Sequence, residues 1–495
     1  MSLAEIPAED VSVASMDIAE NAAPPDSGRR PAKDPGFIIG DHVELRRAMV
    51  NALESDAPPI CDLGGMHAYS AQTGAWTKLD RSVMSRAVQG FSGLTVQTEK
   101  GIKPLRIRKT DVDGAIALAL DEQAQPGFFD AAPHGLAFSN GFLRILDGKV
   151  KLTEHDPDNG ARFSYPFAFD PQAKCPRWIK CLEDAFKGDY DAREKIAVLE
   201  EFAGASLFGL ATAYQRSIVM WGSGAETGDN GKSTIADIIA GAMPSGSVSH
   251  VAPQSWGNEY RRDLIAGKLL NVVSELPEAD ILDGESFKAM ITGDGMEARA
   301  IYSKPYSFNA RAGHLFSANR LPGSNDQSKG FWRRLIVLVF NRTIPPEEKI
   351  AGLAKIIVAD ELPGIVARLV AGARRLVAQG KYTEVMSSAS AVEKWKREAN
   401  PVATFLAERT RPARADDERT SASLLFEEFK SWADVNKYRV MTSHKFGLRM
   451  SMLGYGGEDK HTRLGTFYAV AVLRLGEAPP EPEPPTDPAE AWSRE

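Results

Sequence analysis

The chain has 495 residues, 43% apolar and 25% charged, too many for one ordinary core and typical of a soluble globular protein of roughly two to four domains. No stretch is long and apolar enough to span a membrane as a helix, and the N-terminus shows no charged-then-apolar signal layout. The net charge of −7 is concentrated at the ends: residues 1–35 carry −4 and 477–495 carry −5, leaving the body at +2, so the acidic balance does not exclude a nucleic-acid binder. Both ends are Pro-, Ala- and acid-rich and read as unstructured. Cys61, Cys175 and Cys181 offer neither a disulfide framework nor a zinc spacing and are expected as reduced thiols.

Ordered structure is expected from about residue 36. "HAYSAQTGAWTKLD" reads as two short strands around a turn, and "GIKPLRIRK" (101–109) as a basic strand or loop, solvated or touching DNA. Asp111 and Asp113 open a helix, where capping and the helix dipole explain them better than a metal. Strand-like runs ("GLAFSNGFLRIL", "ARFSYPFAF") precede two helices ("PRWIKCLEDAF", "REKIAVLEEFAGASLFG"). From 216 to 340 the pattern is α/β, with buried-strand candidates "SIVMWG", "LLNVVSE", "GHLFSAN" and "LIVLVF". Residues 350–380 read as helix, and 390–475 as helices closed by a pair of strands.

"GSGAETGDNGKST" (222–234) lies between an apolar strand and an amphipathic helix, where a phosphate-binding loop belongs. Its spacing departs from the usual pattern, because Glu226 stands where the first glycine should be. A glycine-rich turn would explain the glycines but not Gly-Lys-Ser-Thr at the helix start. On the phosphate reading, Lys232 reaches the terminal phosphates and the Ser233 hydroxyl holds Mg²⁺. Glu275, at a strand end, could polarise the attacking water or share the Mg²⁺, or could simply be solvated. Asn319 suits water orientation or γ-phosphate sensing. Arg333 and Arg334, before the fourth apolar strand, could serve a neighbouring subunit's ATP or form surface ion pairs.

"GSGA…NGKST", "VVSELPEADILDGESFKAMITGDGMEARAIYSKPYSF", "HLFSANRLP" and "GFWRRLIVLVF" together resemble the superfamily 3 helicase domain of phage and plasmid primases, related to the poxvirus primase-helicase. The resemblance covers about residues 50–475. It implies an α/β fold: an AAA+-like P-loop ATPase core around a central parallel sheet, an α+β N-terminal region, a helical lid and a C-terminal winged-helix domain. The implied layout is an acidic leader (1–35), an N-terminal α+β module (36–125), a module preceding the helicase (126–205), the ATPase core (206–345), the lid (346–389), the winged-helix segment (390–475) and a Pro/Glu tail (476–495).

Carried over residue by residue, the resemblance implies an ATP- and Mg²⁺-dependent DNA helicase acting as a homo-hexameric ring on single-stranded and origin DNA in the bacterial host cytoplasm. Gly228, Asn230, Gly231, Lys232, Ser233 and Thr234 would bind nucleotide. Ser233 and Glu275 would hold the metal, Glu275 and Asn319 would act in catalysis, and Arg334 or Arg333 would act in trans. The family reads Gly-x-Gly-x-Asn-Gly-Lys-Ser-Thr, so "ETGD" is an insertion that lengthens the loop's early arc, with Gly228 taking the tight turn. "RAIYSKPYSF" is expected as a β-hairpin reaching into the ring's pore, with Lys304 gripping the DNA backbone and Tyr302 or Tyr306 beside it. Residues 286–335 carry a net +5, as a DNA channel would. "TSHKFGLRMSML" is expected as a helix capped by Thr442 or Ser443, with Lys445 and Arg449 towards DNA and Lys460 and Arg463 on a wing; partner docking is the alternative. No primase domain is legible ahead of the core, so primer synthesis is expected to reside in a separate primase or polymerase or to be absent. The competing classes are a small-molecule phosphotransferase and a DNA-binding remnant without ATPase activity.

Overall fold

The computed structural model describes residues 37–38, 40–53, 55–98, 101–222, 229–276, 283–301, 304–319, 321, 326, 328–436, 438, 440–455, 460–462 and 465–473. Gly228, Tyr302 and Arg463, and the leader and tail expected as unstructured, lie outside them. No helix among the described residues is long and apolar enough to cross a membrane.

The chain divides into two compact units. The first comprises residues 1–55 and 79–124, where helices His42–Ala52, Arg81–Gln89 and Lys109–Glu122 accompany the hairpin Thr95–Thr98/Gly101–Pro104. Asp111 accepts the Arg108 amide at 2.7 Å, the capping role expected of it, and Asp113 pairs with Arg81. The stretch expected as one module, 36–125, is therefore divided. Its strands Ile60–Asp62, Gly65–Ser70 and Ala75–Lys78 belong to the second unit, where Tyr69 and Trp76 enter the core and the Trp76 indole donates to the Pro157 carbonyl at 2.9 Å.

The second unit is built on five parallel strands: β1 (Ser217–Gly222), β2 (Val248–Ser249), β3 (Leu270–Val273), β4 (Gly313–Ala318) and β5 (Leu335–Phe340), in the order β2-β3-β4-β1-β5. All residues of β1, β3, β4 and β5 are buried. Successive side chains enter opposite cores: Ile218 and Met220 pack with Leu338 and Phe340 on one face, Val219 and Trp221 with Val337 and Val339 on the other. Burial on both faces is why these strands read as continuous apolar runs. The two edges are closed differently. Asn271 of β3 accepts the Ser249 hydroxyl and the Val251 amide through Oδ1 and donates to the Val251 carbonyl, pinning short β2. On β5, the Val337 amide donates to the Ser388 hydroxyl at 2.9 Å.

Helices α1 (Ala192–Leu207), α2 (Lys232–Ala242) and α3 (Leu353–Gln379) cover one face. Helices α1 and α3 approach backbone to backbone, since a Cβ at Gly372 would strike the Glu200 carbonyl and one at Gly204 the Leu369 carbonyl. Buried Glu200 and Glu201 of α1 pair with Arg368 and Arg375 of α3. The segment expected as a lid is thus bolted to the preceding module by ion pairs. At the C-terminus, helices Pro401–Arg409, Ala422–Val435 and Ser443–Met450 and short strands enclose a separate apolar core that includes Phe405, Phe429, Trp432, Phe446 and Met450.

His314 of β4 is fully buried against Trp256 and Phe316, and neither ring nitrogen has a hydrogen-bond partner among the described residues. Burial pulls it down to about 3, and does the same to His67. Both rings are neutral when folded, and both charge near pH 6.5 once unfolded. Their contribution is intact above that value and is lost as pH falls towards 3, by about 2 kcal/mol per histidine at pH 5. His314→Phe is expected to be at least as stable as the parent at pH 7 and to gain about 2 kcal/mol over it at pH 5. Urea midpoints at the two pH values check this, and a pH-independent difference would refute it.

Candidate nucleotide and nucleic-acid site

The glycine loop leaves β1 after Gly222 and re-enters the described chain at Asp229. Gly231 has φ +82°, a left-handed conformation that a side chain strains, and a Cβ there would press on Ile344 at 3.3 Å. Lys232 is the first residue of α2; it is buried, and its ammonium donates to the buried Asn230 side chain at 2.9 Å. Burial pulls Lys232 down to about 8. Ser233 is exposed and Thr234 half-buried on the same turn. No side chain among the described residues caps this helix start, so its first amides can face an anion together with the ammonium. The Ile344 amide donates to the Asp229 carbonyl at 2.7 Å, and Lys349 pairs with Asp229 at 2.6 Å, so the chain leaving β5 braces the end of the loop.

Glu275 and Asn319 join this edge. Strand β3 ends at Val273 and β4 at Ala318, and the Leu276 amide donates to the Ser317 carbonyl at 2.8 Å, so pairing continues past the end of β3. Glu275 and Asn319 are therefore exposed neighbours on adjoining strands, which lie about 5 Å apart. Because β1 pairs with β4 in parallel, both sit on the side of the sheet where the glycine loop departs. The carboxylate of Glu275 makes no hydrogen bond or ion pair among the described residues.

Arg333 and Arg334 lie elsewhere. They precede β5, and the Arg334 carbonyl accepts the amide and hydroxyl of Ser217, the first residue of β1. That is the opposite end of the sheet, six residues or about 20 Å from the loop of the same chain. Arg333 is exposed; Arg334 is buried and donates to the Gly330 carbonyl. Burial, then repulsion from Arg333, pulls both Arg334 and Arg216 below their ordinary value. The residue sequence reading missed is Arg342, two positions beyond β5 on the loop's own edge, donating to the Asp184 carbonyl at 2.8 Å and pairing with Glu348. Its position just past an apolar strand was the available signal.

The expected hairpin exists with displaced arms. Gly295–Ala298 pairs with Tyr306–Asn309, so "RAIY" belongs to the connection and not to a strand. Met296 and Phe308 pack inwards as the pairing requires, whereas Arg299 pairs with Glu259 at 3.7 Å and lies over Tyr260. Lys304 is exposed at the connection. Tyr306 is not a free stacking surface: its ring lies against Gly64 and its hydroxyl donates to Asp263 at 2.8 Å. In the C-terminal segment Thr442 caps the helix, accepting the Lys445 amide at 3.4 Å. Phe446 and Met450 are buried, and Lys445 is exposed. Arg449 is half-buried and its Nη1 is enclosed without a partner among the described residues, so only part of its guanidinium faces outwards. The helix ends sooner than expected: Leu453 lies in a following turn broken at Gly454, whose φ is +89°.

Two stretches of the chain match known families. Residues 69–187 match the family described as D5 N terminal like, and residues 225–334 match a family of unknown function, DUF5906. Among solved structures, the A form apo structure of the NrS-1 C-terminal region is 11% identical, with 90% of this chain and 100% of that chain covered and a TM-score of 0.41. The apo structure of the NrS-1 C-terminal region (305-718) is 12% identical over the same shares, also with a TM-score of 0.41.

Proposed function

We propose that the chain is an ATP-dependent DNA helicase of phage, prophage or plasmid replication that translocates on single-stranded DNA. The observation that carries this reading is the convergence of Lys232 at an uncapped helix start with Glu275 and Asn319 on one edge of the parallel sheet. The match of residues 69–187 to a D5-like family supports a replication role. In this reading Asn230, Gly231, Lys232 and Thr234 bind the nucleotide, with Gly228 in the arc before them, and the Ser233 hydroxyl and Glu275 would hold Mg²⁺, which would neutralise phosphate charge. Lys232 holds the terminal phosphates, the Glu275 carboxylate takes a proton from the attacking water and Asn319 orients that water. Arg334 or the exposed Arg333, too far from the loop of their own chain, serves the nucleotide of a neighbouring copy, so a ring, a homo-hexamer in the family resembled, completes the site. Lys304 and, at the C-terminus, Lys445 and the outward part of Arg449 contact DNA, with Tyr302 beside Lys304. The setting is the host cytoplasm, with a primase or polymerase as separate partner.

The test is ATP hydrolysis with and without single-stranded DNA. Stimulation by DNA supports the motor. Hydrolysis indifferent to DNA moves the assignment to a small-molecule phosphotransferase, and DNA binding without hydrolysis to a binding remnant. Lys304→Ala is expected to weaken oligonucleotide binding and to lower the salt slope of log K by about 1, leaving DNA-free hydrolysis unchanged. An unchanged slope would remove Lys304 from the DNA path.

A further inference from the structure

A pocket opens at the other end of the sheet, where Leu269 leads into β3 and Arg311 towards β4. Its empty volume is about 450 Å³, its open mouth included. Phe129, Arg162 and Phe163 line it together with His134, Gly209 and Arg311.

The Arg162 guanidinium lies 5.2 Å from the Phe129 ring centre and 5.6 Å from that of Phe163. It donates no hydrogen bond and forms no ion pair among the described residues. The nearest carboxylates are engaged elsewhere. Asp62 accepts the amides of Leu63, Gly127 and Phe129, and Asp130 accepts the backbone and side-chain N–H of Asn309. Arg311 donates through Nη2 to the Asp130 and Ala132 carbonyls, and its remaining nitrogens make no hydrogen bond among the described residues. Gly267, at φ +73°, leaves room for Arg162, because a Cβ there would strike Nη1. A Cβ at Gly209 would touch His134 and Arg311 at 3.6 and 3.7 Å.

Asp130 and Asp62 offset part of the Arg162 charge through space, without a hydrogen bond or ion pair to it among the described residues. Burial, and then Arg311, pulls Arg162 down to about 10, still charged at neutral pH. Lys268 is lowered by burial and then by Arg162 and Lys78, and His134 by burial and then by Arg311. Two guanidiniums with free donors in one pocket match the oxygens of a phosphate, which accepts bidentate pairs from such forks.

We propose that this pocket is a second phosphate site, separate from the glycine loop, in which Arg162 and Arg311 grip a phosphate group. The phosphate comes from the backbone of single-stranded DNA or from a free polyphosphate. The hairpin base favours the backbone, since Asn309 at the end of its second arm is held by Asp130, beside Arg311. Only the DNA arm rests on the helicase reading; the pocket itself does not.

The test uses the full chain with Arg162→Gln, compared with Arg162→Lys, which keeps the charge. Fluorescence anisotropy with labelled oligo-dT is read over a salt series. Calorimetry with inorganic pyrophosphate is read in a Lys232→Ala background, so that the glycine loop does not contribute. For the DNA source, Arg162→Gln weakens oligo-dT binding about tenfold and lowers the salt slope by about 1, with Arg162→Lys recovering part of the loss. For the free polyphosphate, pyrophosphate binding disappears in Arg162→Gln while oligo-dT binding stays. Unchanged binding of both probes overturns the proposal. So does an equal loss in both variants with a lowered melting temperature, which marks Arg162 as structural. A chain that binds pyrophosphate through Arg162 but shows no DNA-stimulated hydrolysis refutes the helicase reading and leaves this one standing.

Discussion

Lys232→Ala is expected to lower ATP hydrolysis by ~100-fold or more, because an ammonium clamp on the transferring phosphoryl group is removed from a largely enclosed position. The fold is expected to survive. Burial already disfavours the Lys232 charge, to about 8, so its removal relieves a cost in the empty protein. An unchanged or raised melting temperature, with hydrolysis lost, would separate a site defect from a folding defect. The same burial sets a pH signature. Below pH 8 the ammonium is charged and attracts phosphate; above it the amine is neutral. The kcat/KM profile is therefore expected to fall through about pH 8 on the alkaline side. Hydrolysis retained by Lys232→Ala would make the glycine loop an imitation of a phosphate loop.

Glu201→Ala is expected to destabilise the second unit by about 3–5 kcal/mol, read as a lowered urea midpoint. Glu201 is fully buried, and accepts Arg375 Nε at 2.7 Å, the Thr383 amide at 2.9 Å and the Thr383 hydroxyl at 2.7 Å. Truncation leaves Arg375 Nε and the Thr383 amide and hydroxyl without their carboxylate acceptor where α1 and α3 meet, and Arg375 keeps only the Ala197 carbonyl and Glu200 among the described residues. Glu384, three residues beyond Lys381 and paired among the described residues with that exposed lysine, is a control whose alanine variant is expected to leave the urea midpoint unchanged. Equal effects at the two positions would mean that α3 is not docked through Glu201.

These two sites differ in how far the sequence discloses them. Gly-Lys-Ser-Thr after an apolar strand is a local pattern, and it singles out Lys232 among the lysines of the chain. Nothing local singles out Glu201: in sequence it is one acid among several in a helix, and its partners lie about 175 residues away. The strands show the same division. Strands β1, β3, β4 and β5 stand out as apolar runs because both faces of a parallel sheet are buried, whereas β2 has two residues and is defined by Asn271. The hairpin's second arm is legible from Tyr306 and Phe308; its first was misplaced by four residues, since "RAIY" and "GMEA" are equally plausible strands until Ala298 is seen opposite Tyr306.

The buried strands and the helix that carries the lysine are legible along the chain, because apolar periodicity and a glycine before a helix are consequences of local backbone geometry. Which strand ends share an edge depends on how the strands pair. Parallel pairing of β1 with β4 and of β4 with β3 brings Glu275 and Asn319 to the glycine loop, and pairing of β1 with β5 sends Arg333 and Arg334 to the far end. The tertiary structure alone assembled the Arg162–Arg311 pocket, because residues about 150 positions apart meet only through burial and strand order, which no local propensity encodes.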